Sequence, residues 1–187
     1  VVLHTGAKAV MVDVSKDDFN IAIDKIEAAI TSKTKVIMPV DISGFPCDYN
    51  EILNLANKHK EVFTPNNTKQ SKLGRILIAS DAAHSFGALY FGKRSGSLAD
   101  VTCFSFHAVK NLTTAEGGAV CFNLPDHFDH DEIYKDFKIL GEEIRQIITP
   151  LIIRRSRIDL KQIKSYKEDL EKQNILNLDF DILWRKL

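Results

Sequence analysis

The feature that most constrains this chain is an alternation, sustained over its first two thirds, between short runs of β-branched or apolar residues and segments with helical apolar spacing. Ala9-Val10-Met11-Val12-Asp13-Val14 reads as a first strand. Val36-Ile37-Met38-Pro39-Val40 and Arg75-Ile76-Leu77-Ile78-Ala79 read as buried strands, and two more are expected at 101–105 and 119–122. Between the first two, Ile23, Ile26 and Ile30 recur at three- and four-residue steps after Asn20, a candidate cap, which predicts a short amphipathic helix. Asp48 can cap a second helix that puts Ile52, Leu55 and Ala56 on one face. From His59 to Gly74, Pro65, Asn66 and Asn67 predict an irregular loop. Strand-helix-strand repetition is the pattern of a largely parallel sheet covered by helices on both faces, so the expected class is α/β.

The texture changes after Phe137. Eight of the nine glycines precede it, and the remainder is rich in Ile, Leu, Lys, Arg and Glu. Leu160, Ile163, Lys167 and Leu170 follow helical spacing, whereas Pro150 and Arg154-Arg155-Ser156-Arg157 interrupt what precedes them. The expected organisation is one domain over 1–137 and a charged helical appendage over 138–187, with the boundary near 137–141. Charge is balanced, 25 basic against 25 acidic residues, so no global field points to nucleic acid or a membrane surface. Cys47, Cys103 and Cys121 form no CxxC pair and are odd in number, which suits a reducing, cytoplasmic setting. No apolar stretch approaches the roughly 20 residues that a membrane helix needs. The chain has no initiator Met, as expected if it begins inside a longer protein.

Two positions stand out chemically. Asp81 directly follows an apolar strand, at the carboxyl end where open α/β sheets bind ligands. Taken alone, such an Asp more often caps a helix, here one beginning Ala82-Ala83-His84. The run Cys103-Phe104-Ser105-Phe106-His107-Ala108-Val109-Lys110-Asn111 leaves a strand and reaches a lysine before a polar turn containing Glu116-Gly117-Gly118. Partial desolvation of Lys110 would favour a neutral, nucleophilic amine, the form that imine chemistry requires. A lone lysine is more often a surface residue with a snorkelling stem. His127-Phe128-Asp129-His130-Asp131 offers metal-ligand types, but a polar loop after a strand accounts for it and no second ligand cluster accompanies it; no metal is expected.

The combination is more specific than its parts. Asp81-Ala82-Ala83-His84, then Ser105-Phe106-His107-Ala108-Val109-Lys110-Asn111-Leu112, then Glu116-Gly117-Gly118-Ala119, in this order and spacing, closely resembles the DegT/DnrJ/EryC1/StrS family of sugar aminotransferases. Similarity extends upstream through Val12-Asp13-Val14, Phe19-Asn20-Ile21 and Pro46-Cys47-Asp48, and covers about residues 1–137. The resemblance implies a partial large domain of the fold-type I, aspartate-aminotransferase-like fold that uses pyridoxal 5'-phosphate. It implies transfer of an amino group, with glutamate as the expected donor, to a keto group of a nucleotide-linked sugar by a homodimeric enzyme. Lys110 would form the internal aldimine and then shuttle a proton between substrate and cofactor carbons. Asp81 would pair with the protonated pyridine nitrogen, His84 would lie near the phenolic oxygen, and Ser105 would bind the phosphate. Gly117-Gly118 match the family's tight turn and carry no catalytic role. His107 and Asn111 lie in the same motif without an assigned role. A related sugar dehydratase branch replaces the lysine with histidine, so Lys110 argues against that chemistry.

Family members are about twice this length. The resemblance implies that the region before Val1, with the small-residue phosphate loop and the residue stacked on the ring, and the C-terminal small domain are expected to lie outside this chain, so it alone is expected to turn over weakly or not at all. The stretch Ile148-Thr149-Pro150-Leu151-Ile152-Ile153-Arg154-Arg155-Ser156-Arg157-Ile158-Asp159-Leu160 resembles the connector after the first motor lobe of Swi2/Snf2-type helicases, which fits a fusion of two pieces. No phosphate-binding loop or acidic metal site of such a motor is present. The alternative function is a catalytically silent or nucleic-acid-associated piece acting through the basic tail; for Arg154, Arg155 and Arg157 a solvated basic turn is the favoured reading.

Overall fold

The computed structural model describes residues 2–148, with the side chains of His4 and 144–148 left out. The helical spacing around Leu160 to Leu170, the interruption at Pro150 and the Arg154–157 cluster lie outside the described residues. The chain divides into two compact units after Asp131. The first is built on a sheet of β1 (Val36–Ile37), β2 (Leu77–Asp81), β5 (Val101–Ser105) and β6 (Gly118–Phe122), in that spatial order. β1, β2 and β5 run parallel, and β6 returns antiparallel beside β5. A separate hairpin pairs β3 (Leu89–Tyr90) with β4 (Lys93–Arg94).

α1 (Ile23–Ala29) and α2 (Tyr49–Lys58) cover one face of this sheet. Asp48 begins α2 by accepting from Glu51 N–H at 3.2 Å, which satisfies one of the donors orphaned at a helix start. The helical period then buries Ile52, Leu55 and Ala56 together with Tyr49, against Ile37 and Ile78 of the strands. At the amino-terminal rim, Arg75 grips Asp100 through two 2.7 Å hydrogen bonds, and Asp100 Oδ2 also accepts from Ile78 N–H at 2.8 Å. A fully paired carboxylate at that point pins the register of β2 against β5.

Several expectations need correction. Residues 9–14 form no strand: a strand needs a ladder, and this segment makes one antiparallel bridge, Val14 to Ile21, with Val10 and Met11 exposed. Asn20 does not cap α1, whose N-cap is Ala22; the buried Asn20 amide instead donates to Phe45 O and Pro46 O and accepts from Ile42 N–H. The β1 ladder spans two residues and resumes as a bridge from Val40 to Asp81. β2 lies two residues later than its apolar run. The supposed loop 59–74 contains α3 (Thr68–Leu73), capped by Asn67 Oδ1 on Gln70 N–H and ended by Gly74 at φ +69°. Asp81 starts no helix; its Oδ1 accepts from Ala83 N–H at 3.1 Å in a tight turn. Nor are both faces of the sheet covered within the first unit. Val36, Met38 and Val40 remain 47%, 49% and 42% exposed, and Cys103, in a strand flanked on both sides, is exposed as well.

In the second unit, which begins at Glu132, α4 (His130–Ile148) continues unbroken through residues 137–141 and leaves Tyr134, Phe137, Ile139 and Leu140 about half exposed.

Candidate active site

Strand register decides which side chains share a face. Asp81 pairs with Cys103 across β2 and β5, and Ser105 stands two residues further along β5, so Asp81, Cys103 and Ser105 project from one face at the carboxyl rim. It is the uncovered face. The proximity of Asp81 and Cys103 has an electrostatic consequence: burial, and then the Asp81 carboxylate, push the Cys103 thiol above its usual 9.0. Asp81 Oδ2 carries no hydrogen bond among the described residues. Ser105 Oγ accepts a long 3.4 Å contact from His107 N–H, which leaves its own O–H free to donate.

Lys110, half-buried, lies five residues beyond Ser105 in the connection between β5 and β6. Its N–H donates to His107 O at 2.9 Å, and its amine makes no ion pair among the described residues. His84 is exposed on the turn after Asp81. Of the four residues singled out in the sequence, Asp81 and Ser105 thus end β2 and β5 while His84 and Lys110 lie on the segments that follow, without direct hydrogen bonds between their side chains among the described residues. A cavity of about 450 Å³ lies at the opposite rim, lined by Arg75, Asp100, Asn123 and Asp126. With its guanidinium and carboxylate already paired to each other, that cavity offers a ligand little, and the uncovered carboxyl rim is the better candidate.

Beneath this rim lies a polar network that sequence reasoning missed. Asp41, 1% exposed, accepts from Cys47 N–H at 3.1 Å and Tyr49 O–H at 2.7 Å on Oδ1, and from Ser85 O–H at 2.5 Å on Oδ2. Tyr49 Oη also meets Ser80 Oγ at 2.5 Å, and Ser85 Oγ meets Ser95 Oγ at 2.9 Å. Burial, reinforced by the Asp41 charge, pushes the Cys47 thiol up to about 12 and raises the Tyr49 phenol too. The backbone joins in: Asp41 N–H donates to Asp81 O, and a Cβ on Gly44 would come within 2.8 Å of His84 O. Two loops, 41–48 and 82–95, are therefore locked together directly behind Asp81 and His84. One signal was available, since Asp41, like Asp81, follows an apolar stretch.

An acid and a hydroxyl stand on one face at the carboxyl ends of neighbouring strands, with a lysine on the connection that follows, in an α/β domain of the kind whose ligands bind at that rim. The DegT/DnrJ/EryC1/StrS aminotransferase family model matches residues 1–149. Among curated proteins, MJ1066 of Methanocaldococcus jannaschii is 41% identical over 140 residues, covering 75% of this chain and 31% of its own. The GDP-perosamine synthase of Caulobacter vibrioides is 41% identical over 125 residues, 67% of this chain and 30% of that protein. Among solved structures, Spr1654 of Streptococcus pneumoniae, assigned as a sugar aminotransferase and solved in PLP and PMP forms, is 47% identical. It aligns with a TM-score of 0.72 over 74% of this chain and about 35% of that chain. The chain belongs to the DegT/DnrJ/EryC1/StrS aminotransferase family, and its first unit is part of the fold-type I large domain. It spans about a third of the length of the relatives it matches.

Proposed function

We propose that the protein from which this chain comes transfers an amino group, with glutamate as donor, to a keto group on a nucleotide-linked sugar, using pyridoxal 5'-phosphate. The observation that carries this reading is the joint placement of Asp81 and Ser105 on one uncovered sheet face, with the Lys110 turn leaving the same rim. These residues fit the cofactor on their own geometry. A half-buried carboxylate with one oxygen unpartnered among the described residues suits a protonated ring nitrogen, a hydroxyl that donates to none of them suits a phosphate, and no helix of the first unit blocks the face between them.

When bound, the cofactor supplies an electron sink for the carbanion formed at the amino donor. The Asp81 carboxylate holds the ring nitrogen protonated by charge and hydrogen bonding. Ser105 O–H would bind the phosphate end, and His84 would serve the phenolic oxygen. Lys110 would supply the amine that holds the cofactor, and its Nζ would carry the proton at the donor's α-carbon. The intact enzyme is a homodimer, and the chemistry belongs to 1–137 rather than to the tail 138–187; alone, this portion turns over weakly or not at all. The three cysteines are all free, in keeping with a cytoplasmic location, and no helix among the described residues is long and apolar enough to cross a membrane.

The reading is tested by adding pyridoxal 5'-phosphate to the chain, reducing with borohydride and mapping the modified peptide. The label should concentrate on Lys110 and vanish from that peptide in Lys110→Ala. Labelling spread evenly over surface lysines would overturn the assignment.

A further inference from the structure

Lys110 is useful to this chemistry only if its turn is held in place against the turn that carries Asp81, and the strand ladders end before either turn begins. The last β5–β6 pair is Ser105 with Gly118, and β2 ends at Asp81 itself. Beyond the ladders, alongside the ring contact of Phe86 with Phe106, one side-chain hydrogen bond among the described residues joins the two turns. Asn111 Nδ2 donates to Phe86 O at 2.8 Å, across 25 residues of chain. The orientation of the amide is set from its other side, because Leu112 N–H donates to Asn111 Oδ1 at 3.1 Å, leaving the nitrogen to face Phe86. The Phe86 ring stands edge-on to Phe104 and Phe106, with centroids 5.2 and 5.5 Å away, so the accepting carbonyl belongs to a residue packed onto β5 and its extension. Phe86 is also the neighbour of Ser85, which Asp41 holds from below.

We propose that Asn111 is a positioning residue that clasps the Lys110 turn to the Asp81 turn, so that the amine one residue away is presented at the Asp81 end of the sheet. The inference rests on the assignment of Lys110 as the cofactor-bearing amine. Side chains within the 106–117 connection bind its own backbone, as Thr113 Oγ1 does Phe106 O and Thr114 Oγ1 does Glu116 O. Asn111 alone among the side-chain bonds of this connection reaches the turn after Asp81, and it does so immediately after the lysine. The amide is the side chain this task needs: one atom accepts from its own turn while the other donates across the gap. Asp at this position would keep the Leu112 bond and lose the clasp, setting a carboxylate against the Phe86 carbonyl.

Asn111→Asp and Asn111→Ala are therefore compared with the unsubstituted chain. Asn111 is exposed, so both variants should unfold at the denaturant midpoint of the parent. Without cofactor, amide hydrogen exchange at Lys110 and at Ser85 should quicken by about five-fold in both, the loss of one neutral hydrogen bond, while β2 amides are unchanged. With pyridoxal 5'-phosphate and borohydride, labelling of Lys110 should fall several-fold relative to the other lysines. An effect in the Asp variant alone would mark a charge effect on the amine and overturn the clasp. Unchanged exchange in both variants, or unchanged labelling in both, would overturn it too. If the unsubstituted chain shows no preference for Lys110, the assignment of Lys110 falls, and exchange alone then decides whether the clasp exists.

Discussion

At the scale of single residues, the pairing of Asp81 with Cys103 makes a cysteine the reporter of its neighbour's charge. Burial, and then the neighbouring carboxylate, disfavour the thiolate, so the Cys103 thiol lies above its ordinary range, and removing the negative charge should lower it part of the way. Asp81→Asn should accelerate alkylation of Cys103 near pH 8 and move the midpoint of its pH–rate profile downward. Cys47, buried and pushed up to about 12, should stay unreactive in both proteins and serve as the internal control. A profile unmoved by the substitution would separate the two side chains and with them the shared face on which the site depends. The strand-end positions of Asp81 and Ser105 were readable before any coordinates, because each follows or ends an apolar run; Lys110 lies beyond the strand, on the connection to β6. Asn111 lay in the same motif, yet its clasp to Phe86 crosses 25 residues and leaves no local trace.

At the scale of elements, the Asp41 network should act as one unit. Asp41→Ala leaves three donors, from Cys47, Tyr49 and Ser85, buried without their acceptor, and should destabilise the chain by about 2–4 kcal/mol in denaturant unfolding. Tyr49→Phe removes one hydroxyl from the same network and should cost about 1–2 kcal/mol. The two losses should add to less than their sum, because both break the Tyr49–Asp41 bond. Gly44→Ala meets two obstacles, a φ of +84° and a Cβ 2.8 Å from His84 O, and should cost about 1–3 kcal/mol while broadening or shifting the His84 resonances. A neutral outcome would mean that the two loops are not in contact. The same elements show why some expectations held and others did not. The cap at Asp48 and the buried face of α2 depend on residues three and four apart, so sequence alone specifies them. Residues 9–14 have strand-like composition but no ladder partner. In α3 the cap at Asn67 and the terminal Gly74 were present, but Pro65 and the polar residues around it disguised them.

At the scale of the first unit, the sheet has one face covered by helices and one that no helix of that unit covers, which strand composition could not reveal, since β-branched residues occur on both. The bare side shows Val36, Met38 and Val40 to solvent. A patch of that kind should bind an apolar dye in the folded state, and Met38→Lys should reduce the dye signal without lowering the unfolding midpoint. Dye binding that appears only on denaturation would contradict the exposure of this face. The reversal of direction at β6 has a separate consequence. Parallel neighbours require a long crossover, usually a helix that must also cover the sheet, whereas β6 begins at the rim where β5 ends. The segment carrying Lys110 and Asn111 is thus relieved of any duty as a wall of the interior. Its composition can be rewritten for a new ligand while the layers beneath keep their shape, which makes this short return the place where a lineage built on such a sheet can change its chemistry at least structural cost.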